Sequence, residues 1–340
     1  MSASGTRVLA LAGAMAIVLA ACSGSATPTP APAASPSPAT AVSPSAAPAA
    51  SPSPEASPNP SAAASPSAAP AASTIAVPAS ELIFSGKLVI CSDIPYPPQE
   101  FFDSSGNATG SDIDIGTEIA RRLGLTAEVQ NSVFDTIIAA LQGGKCDVII
   151  SAQNITSDRI KQVDMIPFFQ AGQSFVVATG NPKGIKTQDD LCGKAIGAET
   201  GTTEADYLSG SGDYKGQGLS AACTAKGKPA IDVKSYAKDS DALLALQTGK
   251  VDAYFADSPV AGYYTVQHPD LFQLSGLTLG VALEGISVQN DAGHKDLVAA
   301  VQQALISMIN DGTYTTILKK YGDDSGAITA AVAGQLNKIK

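Results

Sequence analysis

The sequence has no tryptophan, only two histidines and four methionines among 340 residues, and 5% aromatic residues. His268 and His294 lie far from any motif and give no metal-ligand spacing, so both read as surface residues and no metal is expected. No nucleophile elbow and no Cys–His pairing is present, and no cofactor is expected. Positive charge is in deficit, with 21 Lys and Arg against 31 Asp and Glu and a net charge of −10, which argues against nucleic acid as a partner. Long apolar runs are scarce too. The one that stands out spans residues 8–21 behind Arg7, too short for a comfortable membrane span. A basic residue, a short apolar stretch and small residues before a cut describe a secretory signal over residues 1–21.

That run ends Leu19-Ala20-Ala21-Cys22, which resembles a bacterial lipobox. The resemblance implies that Cys22 becomes the lipidated first residue of the mature chain; the alternative is an ordinary signal cut near Ala21. Charge then almost vanishes. Residues 22–79 form a Pro/Ala/Ser tract in which Glu55 is the only charge between 23 and 74, a span that holds thirteen of the 22 prolines. Such a composition cannot bury enough apolar surface to offset the entropy of ordering it. In polyproline II at about 3.1 Å per residue it would reach on the order of 150 Å, a tether long enough to lift a domain from a membrane. The folded part therefore starts near Ser80 and carries essentially all the net charge.

Cysteine is also sparse: after Cys22 only Cys91, Cys146, Cys192 and Cys223 remain. An even number in an exported chain suggests disulfides, with three connectivities open. Cys192–Cys223 closes a loop within one region and is preferred. Cys91–Cys146 follows by elimination, against a mismatch of positions, because Cys91 falls late in its strand and Cys146 early in its own.

What is present alternates strand and helix. A strand over 87–92, a proline-rich loop (Pro95, Pro97, Pro98), a helix carrying Ile115, Ile119 and Leu123 with Ser111 or Asp112 as its cap, a strand over 125–129, a helix over 132–142 and a strand from 147 predict a parallel sheet. Residues 140–147, ALQGGKCD, recur at 245–252 as ALQTGKVD, six identities in eight. The repeat predicts two similar lobes with a cleft between their strand ends. Two crossings, near 174–179 and 277–283, would form the hinge.

Chemistry gathers at strand ends, where open α/β sheets bind small ligands. In residues 147–159, DVIISAQNITSDR, a buried strand passes into a polar turn, Thr156 offers a cap for a short helix, and Arg159 follows as a candidate carboxylate receptor. Gly201-Thr202-Thr203 leads into another helix and offers hydroxyls and free amides to an anion. The second copy of the repeat ends its strand at Asp257.

Taken together these motifs resemble the polar-amino-acid solute-binding proteins of bacterial importers, solute-binding family 3. The resemblance rests on Asp93, Tyr96 and Pro98-Gln99-Glu100, on Gly110-Ser111-Asp112-Ile113-Asp114, on Ile155-Thr156-Ser157-Asp158-Arg159, on Gly201-Thr202-Thr203, and on Asp252-Ala253-Tyr254-Phe255-Ala256-Asp257. Gln99 and Ser111 depart from the family, which has Phe at both. The resemblance implies an α/β fold of the periplasmic-binding-protein type II kind, with two parallel-sheet lobes, 80–176 with 280–340 and 177–279, joined by a two-strand hinge. It implies that Arg159 holds a ligand α-carboxylate with the amides of Asn154 and Thr203, near Thr202. Asp257 and the Ala152 carbonyl would take the α-ammonium, and Tyr96 and Phe134 would sandwich the side chain. Asp93 and Glu199 fall at side-chain positions and favour a cationic amino acid such as arginine or lysine, with glutamine or another polar amino acid as the alternative. The expected role is a lipid-anchored monomeric receptor on the outer face of the cell membrane, delivering an amino acid to an ABC importer permease, without enzyme activity. The alternatives are a prephenate or cyclohexadienyl dehydratase-like enzyme, for which Glu199 is the candidate acid–base group, and a ligand-sensing module.

Overall fold

The structure, a computed structural model, describes residues 76–339. The signal, Cys22 and the tract as far as residue 75 lie outside the described residues. Slightly before Ser80, Val77 already packs against the core, and a single 3-10 turn spans Ala79–Glu81. Glu81 Oε2 accepts the Leu297 N–H at 2.7 Å, which docks this entry segment onto the start of a distant helix.

The first half runs β1 (Lys87–Ser92), β2 (Phe101–Phe102), β3 (Ala108–Thr109), α1 (Ser111–Arg122), β4 (Thr126–Asn131), α2 (Ile137–Gln142), β5 (Val148–Ile149) and β6 (Val163–Ala178). It continues through β7 (Ala195–Glu199), α3 (Thr203–Ser209), α4 (Leu219–Ala225), β8 (Asp232–Tyr236), α5 (Asp239–Gln247), β9 (Ala253–Asp257), α6 (Ser258–Gln267) and β10 (Phe272–Gln289). It closes with α7 (Lys295–Asp311), α8 (Thr313–Tyr321) and α9 (Ala330–Ala333).

Eight strands form one sheet in the order β4-β1-β5-β10-β6-β9-β7-β8. Two blocks are parallel, β4-β1-β5 and β9-β7-β8, as helical crossovers require. The long strands β6 and β10 pair antiparallel with each other and with the inner strand of each block. The two expected crossings are thus themselves a strand pair that joins both blocks into a single mixed sheet. The apolar core changes hands along this pair: Ala171 packs in the first cluster and Phe175 in the second, and on β10 Leu279 belongs to the second and Leu283 to the first. The β6/β10 ladder shifts register three times between Leu274 and Gly285, so the pair is bent where the clusters part. A third cluster, with Tyr96 and Ala152 from the first block and Tyr254 and Val260 from the second, lies between the blocks.

The eight-residue repeat is reproduced bond for bond. Gly144 and Gly249 take φ of 67° and 70°, left-handed values that end α2 and α5, and residues with a Cβ would be strained there. Lys145 N–H donates to Ala140 O at 2.9 Å and Lys250 N–H to Ala245 O at 2.8 Å. Asp147 Oδ2 then accepts the Val89 N–H at 2.7 Å, and Asp252 Oδ2 the Ala195 N–H at 3.0 Å. In each copy a buried or half-buried aspartate aligns the new strand with the first strand of its block.

Three local expectations need correction. Neither Ser111 nor Asp112 caps α1: Gly110 occupies the cap position without a side-chain bond, and both side chains turn inward to Asp323 Oδ2 and to the Ala152 N–H. Residues 132–142 form a 3-10 turn and a short helix rather than one helix. After Thr156 the chain makes turns only. Thr156 Oγ1 accepts the Arg159 N–H at 3.2 Å as a helix cap would, but β6 begins at Val163, leaving no room to propagate.

Both disulfides are present, Cys91–Cys146 with Cα atoms 5.7 Å apart and Cys192–Cys223 with 5.5 Å. The mismatch of strand positions did not prevent the first. Cys91 and Cys146 are fully buried and 55 residues apart in sequence. Replacing both with serine is expected to lower unfolding free energy by about 2–5 kcal/mol, measured by urea titration against the parent. An unchanged midpoint would show that this crosslink does not stabilise the fold.

Candidate ligand-binding site

The C-terminal ends of β1, β5, β7 and β9 converge on one cavity. The structure places all ten residues singled out from the sequence on its wall: Asp93, Tyr96, Phe134, Ala152, Asn154, Arg159, Glu199, Thr202, Thr203 and Asp257. Glu100, Ser151 and Glu204 complete it. Glu100 belongs to the first motif, Glu204 follows the Gly-Thr-Thr turn and Ser151 lies inside the 147–159 stretch, so membership of or proximity to those motifs was the available signal.

At one end stands Arg159. It is 9% exposed, and no Asp or Glu oxygen among the described residues lies within 4.0 Å of its guanidinium. Nη1 donates to Asn154 O at 2.7 Å and Nη2 to Gly201 O at 3.0 Å, while the Phe134 ring lies 5.3 Å from Cζ. A guanidinium has five donors. These two bonds leave donors free, and burial lowers its pKa against the opposing pull of Glu204 and Asp206. Asn154 Nδ2 donates across the cleft to Thr203 Oγ1 at 2.7 Å. Thr202 caps α3, its hydroxyl accepting the Ala205 N–H at 3.2 Å.

Across the cavity Asp257 is 2% exposed. Its Oδ2 accepts the Tyr96 hydroxyl at 3.0 Å, and Oδ1 has no hydrogen-bond partner among the described residues. Burial first, then the neighbouring Glu204, hold its carboxyl well above the usual range. Glu204 is itself buried and raised, with Oε1 accepting Gln173 Nε2 at 2.9 Å. Ala152 sits between these groups with φ of 43°, an uncommon left-handed conformation for a residue with a side chain. The Asp112 carboxylate holds its N–H at 2.9 Å.

The far end is acidic. Asp93 Oδ2 accepts the Phe134 N–H at 3.1 Å, and Glu199, 5% exposed, leaves Oε1 without a hydrogen-bond partner among the described residues. Burial, then the contact with Asp93, push the Glu199 carboxyl up to about 10.

The departures at Gln99 and Ser111 are polar and buried. Gln99 Nε2 donates to Glu284 Oε2 of β10 at 2.7 Å, Ser111 Oγ to Asp323 at 2.7 Å, and Ser151 Oγ to Glu100 Oε1 at 2.8 Å. The Gln99 bond ties the segment beside the cavity-lining Glu100 to β10.

The sequence model of the bacterial extracellular solute-binding proteins, family 3, matches residues 88–324. The chain belongs to this family. It is 27% identical over 237 residues to the L-cystine-binding protein TcyJ of Escherichia coli K12, covering 69% of this chain and 82% of that protein. Among solved structures, an ancestral arginine-binding protein bound to arginine superposes with a TM-score of 0.62 at 36% identity, over 69% of this chain and 98% of that one. The ancestral amino-acid-binding protein AncCDT-1, a precursor of cyclohexadienyl dehydratase, gives 0.58 at 29% identity over 69% and 95%. For a family-3 solute-binding protein the cavity lies where ligands of type II folds are expected, between two sheet blocks and beyond their strand ends.

Proposed function

We propose that this family-3 protein captures a free amino acid in the cavity between its two blocks and delivers it to the permease of an ABC importer. The observation that carries the reading is a pair of half-satisfied ionisable groups facing one cavity: a buried Arg159 with no carboxylate partner among the described residues, and a buried Asp257 with an unpartnered oxygen. A zwitterion completes both, its carboxylate as a two-pronged pair on Arg159 and its ammonium on Asp257 and the Ala152 carbonyl. Asn154 and Thr203 would add amides to the carboxylate, and Tyr96 and Phe134 would flank the side chain. The two carboxyls at the far end, with the likeness to an arginine-bound ancestor, favour a cationic amino acid such as arginine. The lobes would divide at 176/177 and 279/280. A lipid at Cys22 and the Pro/Ala/Ser tether would hold the monomer at the outer face of the cell membrane.

Enzyme activity is not part of this proposal. The dehydratase alternative has one observation in its favour, the buried Glu199, its carboxyl raised by burial, facing the cavity of a fold shared with a dehydratase precursor. Incubating the purified chain with prephenate and following product by absorbance separates the two readings: no turnover is expected. A thermal-shift screen of the twenty amino acids tests the receptor reading. A rise in melting temperature with arginine is expected, and no rise with any amino acid would overturn it.

A further inference from the structure

Behind the distal wall of the cavity, bonded to the lining residue Asp93, stands a charged residue that no motif marked. Lys238 stands at the N-cap position of α5, and its Nζ lies 2.7 Å from Asp93 Oδ1 and 3.4 Å from the Ile94 carbonyl. The pair joins the two blocks across 145 residues of sequence. Asp93 is 7% and Lys238 33% exposed at the side chain, so the contact is shielded on the carboxylate side. Asp93 is also fixed in place, its N–H donating to Ser151 Oγ at 2.8 Å and its Oδ2 accepting from Phe134 N.

Asp93, Lys238 and Glu199 set the charge at this end, with the buried Asp239 next to Lys238 acting on Glu199 as well. The lysine matches the charge of Asp93 before any ligand arrives. The orphaned Oε1 of Glu199 then serves as acceptor for the distal group of a ligand side chain. A neutral side chain that ends in an N–H or O–H donor meets that acceptor with no change in net charge. A cationic side chain has to lie near Lys238, and either shares Asp93 with it or takes Glu199 as a carboxylate. Like charges brought together in a buried site oppose binding.

We propose that Lys238 is a specificity-determining residue, a resident ammonium that matches Asp93 and so restrains the preference of the pocket for cationic over neutral amino-acid side chains. The proposal rests on the amino-acid reading above and adds to it the residue that sets the ligand class. It differs from a simple latch between the blocks, since a latch strengthens the closed form for every ligand alike.

The test uses the full chain and calorimetric titration with L-arginine and L-glutamine. In Lys238→Met the ratio of arginine to glutamine affinity is expected to rise roughly tenfold or more, the size of one removed charge contact in a partly shielded site. Lys238→Arg, which keeps the charge, is expected to leave the ratio within about threefold. Asp93→Asn supplies the converse and serves if Lys238→Met does not fold: with the lysine left unmatched, arginine should lose more affinity than glutamine. A ratio unchanged in Lys238→Met, with both affinities falling together, would overturn the proposal in favour of a latch, and a falling ratio would reverse it. A parent chain that binds neither ligand, nor any other amino acid, would instead remove the amino-acid reading itself.

Discussion

Replacing Arg159 with alanine is expected to weaken amino-acid binding on the order of a thousandfold and to leave the ligand-free fold standing. The first half follows from what the guanidinium faces. Its two bonds to the protein go to the carbonyls of Asn154 and Gly201, and no Asp or Glu oxygen lies within 4.0 Å of it among the described residues. A ligand carboxylate would be its first anionic partner in direct contact, and truncating one side of a buried charged pair costs about 2–5 kcal/mol or more. The second half follows from the same fact. Burial without a carboxylate disfavours the charged guanidinium, so its removal relieves a penalty while two carbonyls lose a donor. Calorimetry gives the affinity, and a melt of the ligand-free variant gives the stability. Unchanged affinity would remove Arg159 from the site. A melting temperature lower by tens of degrees would mean that the residue is structural.

The ligand-free protein is expected to be more stable in mild acid than at neutral pH, against the usual pattern. Buried carboxyls dominate: Asp323 is raised to about 6, Asp112 to about 7, Asp239 to about 8 and Glu199 to about 10, in each case chiefly by burial. Glu100, Glu204, Asp257 and Glu284 are raised as well, again by burial first. A raised folded value means that the fold keeps a proton which the unfolded chain has already lost. The resulting stability is complete below about pH 4 and is lost as pH rises through the folded values, at about 1.4 kcal/mol per pH unit for each such group. Asp311, held at about 2 by Arg122, acts in the opposite sense but only below pH 4. Between pH 5 and pH 8 the melting temperature of the ligand-free protein should therefore fall. Bound ligand should flatten that slope, because an ammonium on Asp257 does the work of a proton. Scanning calorimetry across this range decides it: a flat or rising curve in the ligand-free protein would contradict the assignment of buried neutral carboxyls.

These effects also mark what a sequence can and cannot disclose. The 147–159 stretch, the Gly-Thr-Thr turn and Asp257 were legible because each is local: a short buried strand, then a polar turn with a charge at a fixed offset. The repeat at 245–252 was legible for the same reason, since its cap, its basic residue and its aspartate act within eight residues. Lys238 was not, because its partner is fixed only when the two blocks come together. The caps proposed for α1 failed on a related ground: Ser111 and Asp112 have partners at Asp323 and Ala152, which the local sequence does not display. The short helix after Thr156 failed because the start of β6 cuts it off. The sheet itself was half visible. Two parallel blocks follow from alternating strands and helices, whereas their fusion depends on the long-range pairing of β6 with β10.

The central claim is that one cavity meets both charges of a free amino acid. Calorimetric titration of the full chain with L-arginine and with agmatine, the same molecule without its carboxylate, addresses that claim most directly. Arginine should bind, and agmatine should bind weaker by on the order of a thousandfold, because it leaves Arg159 buried and without its anion. Equal binding of the two, or binding of agmatine alone, would contradict the account.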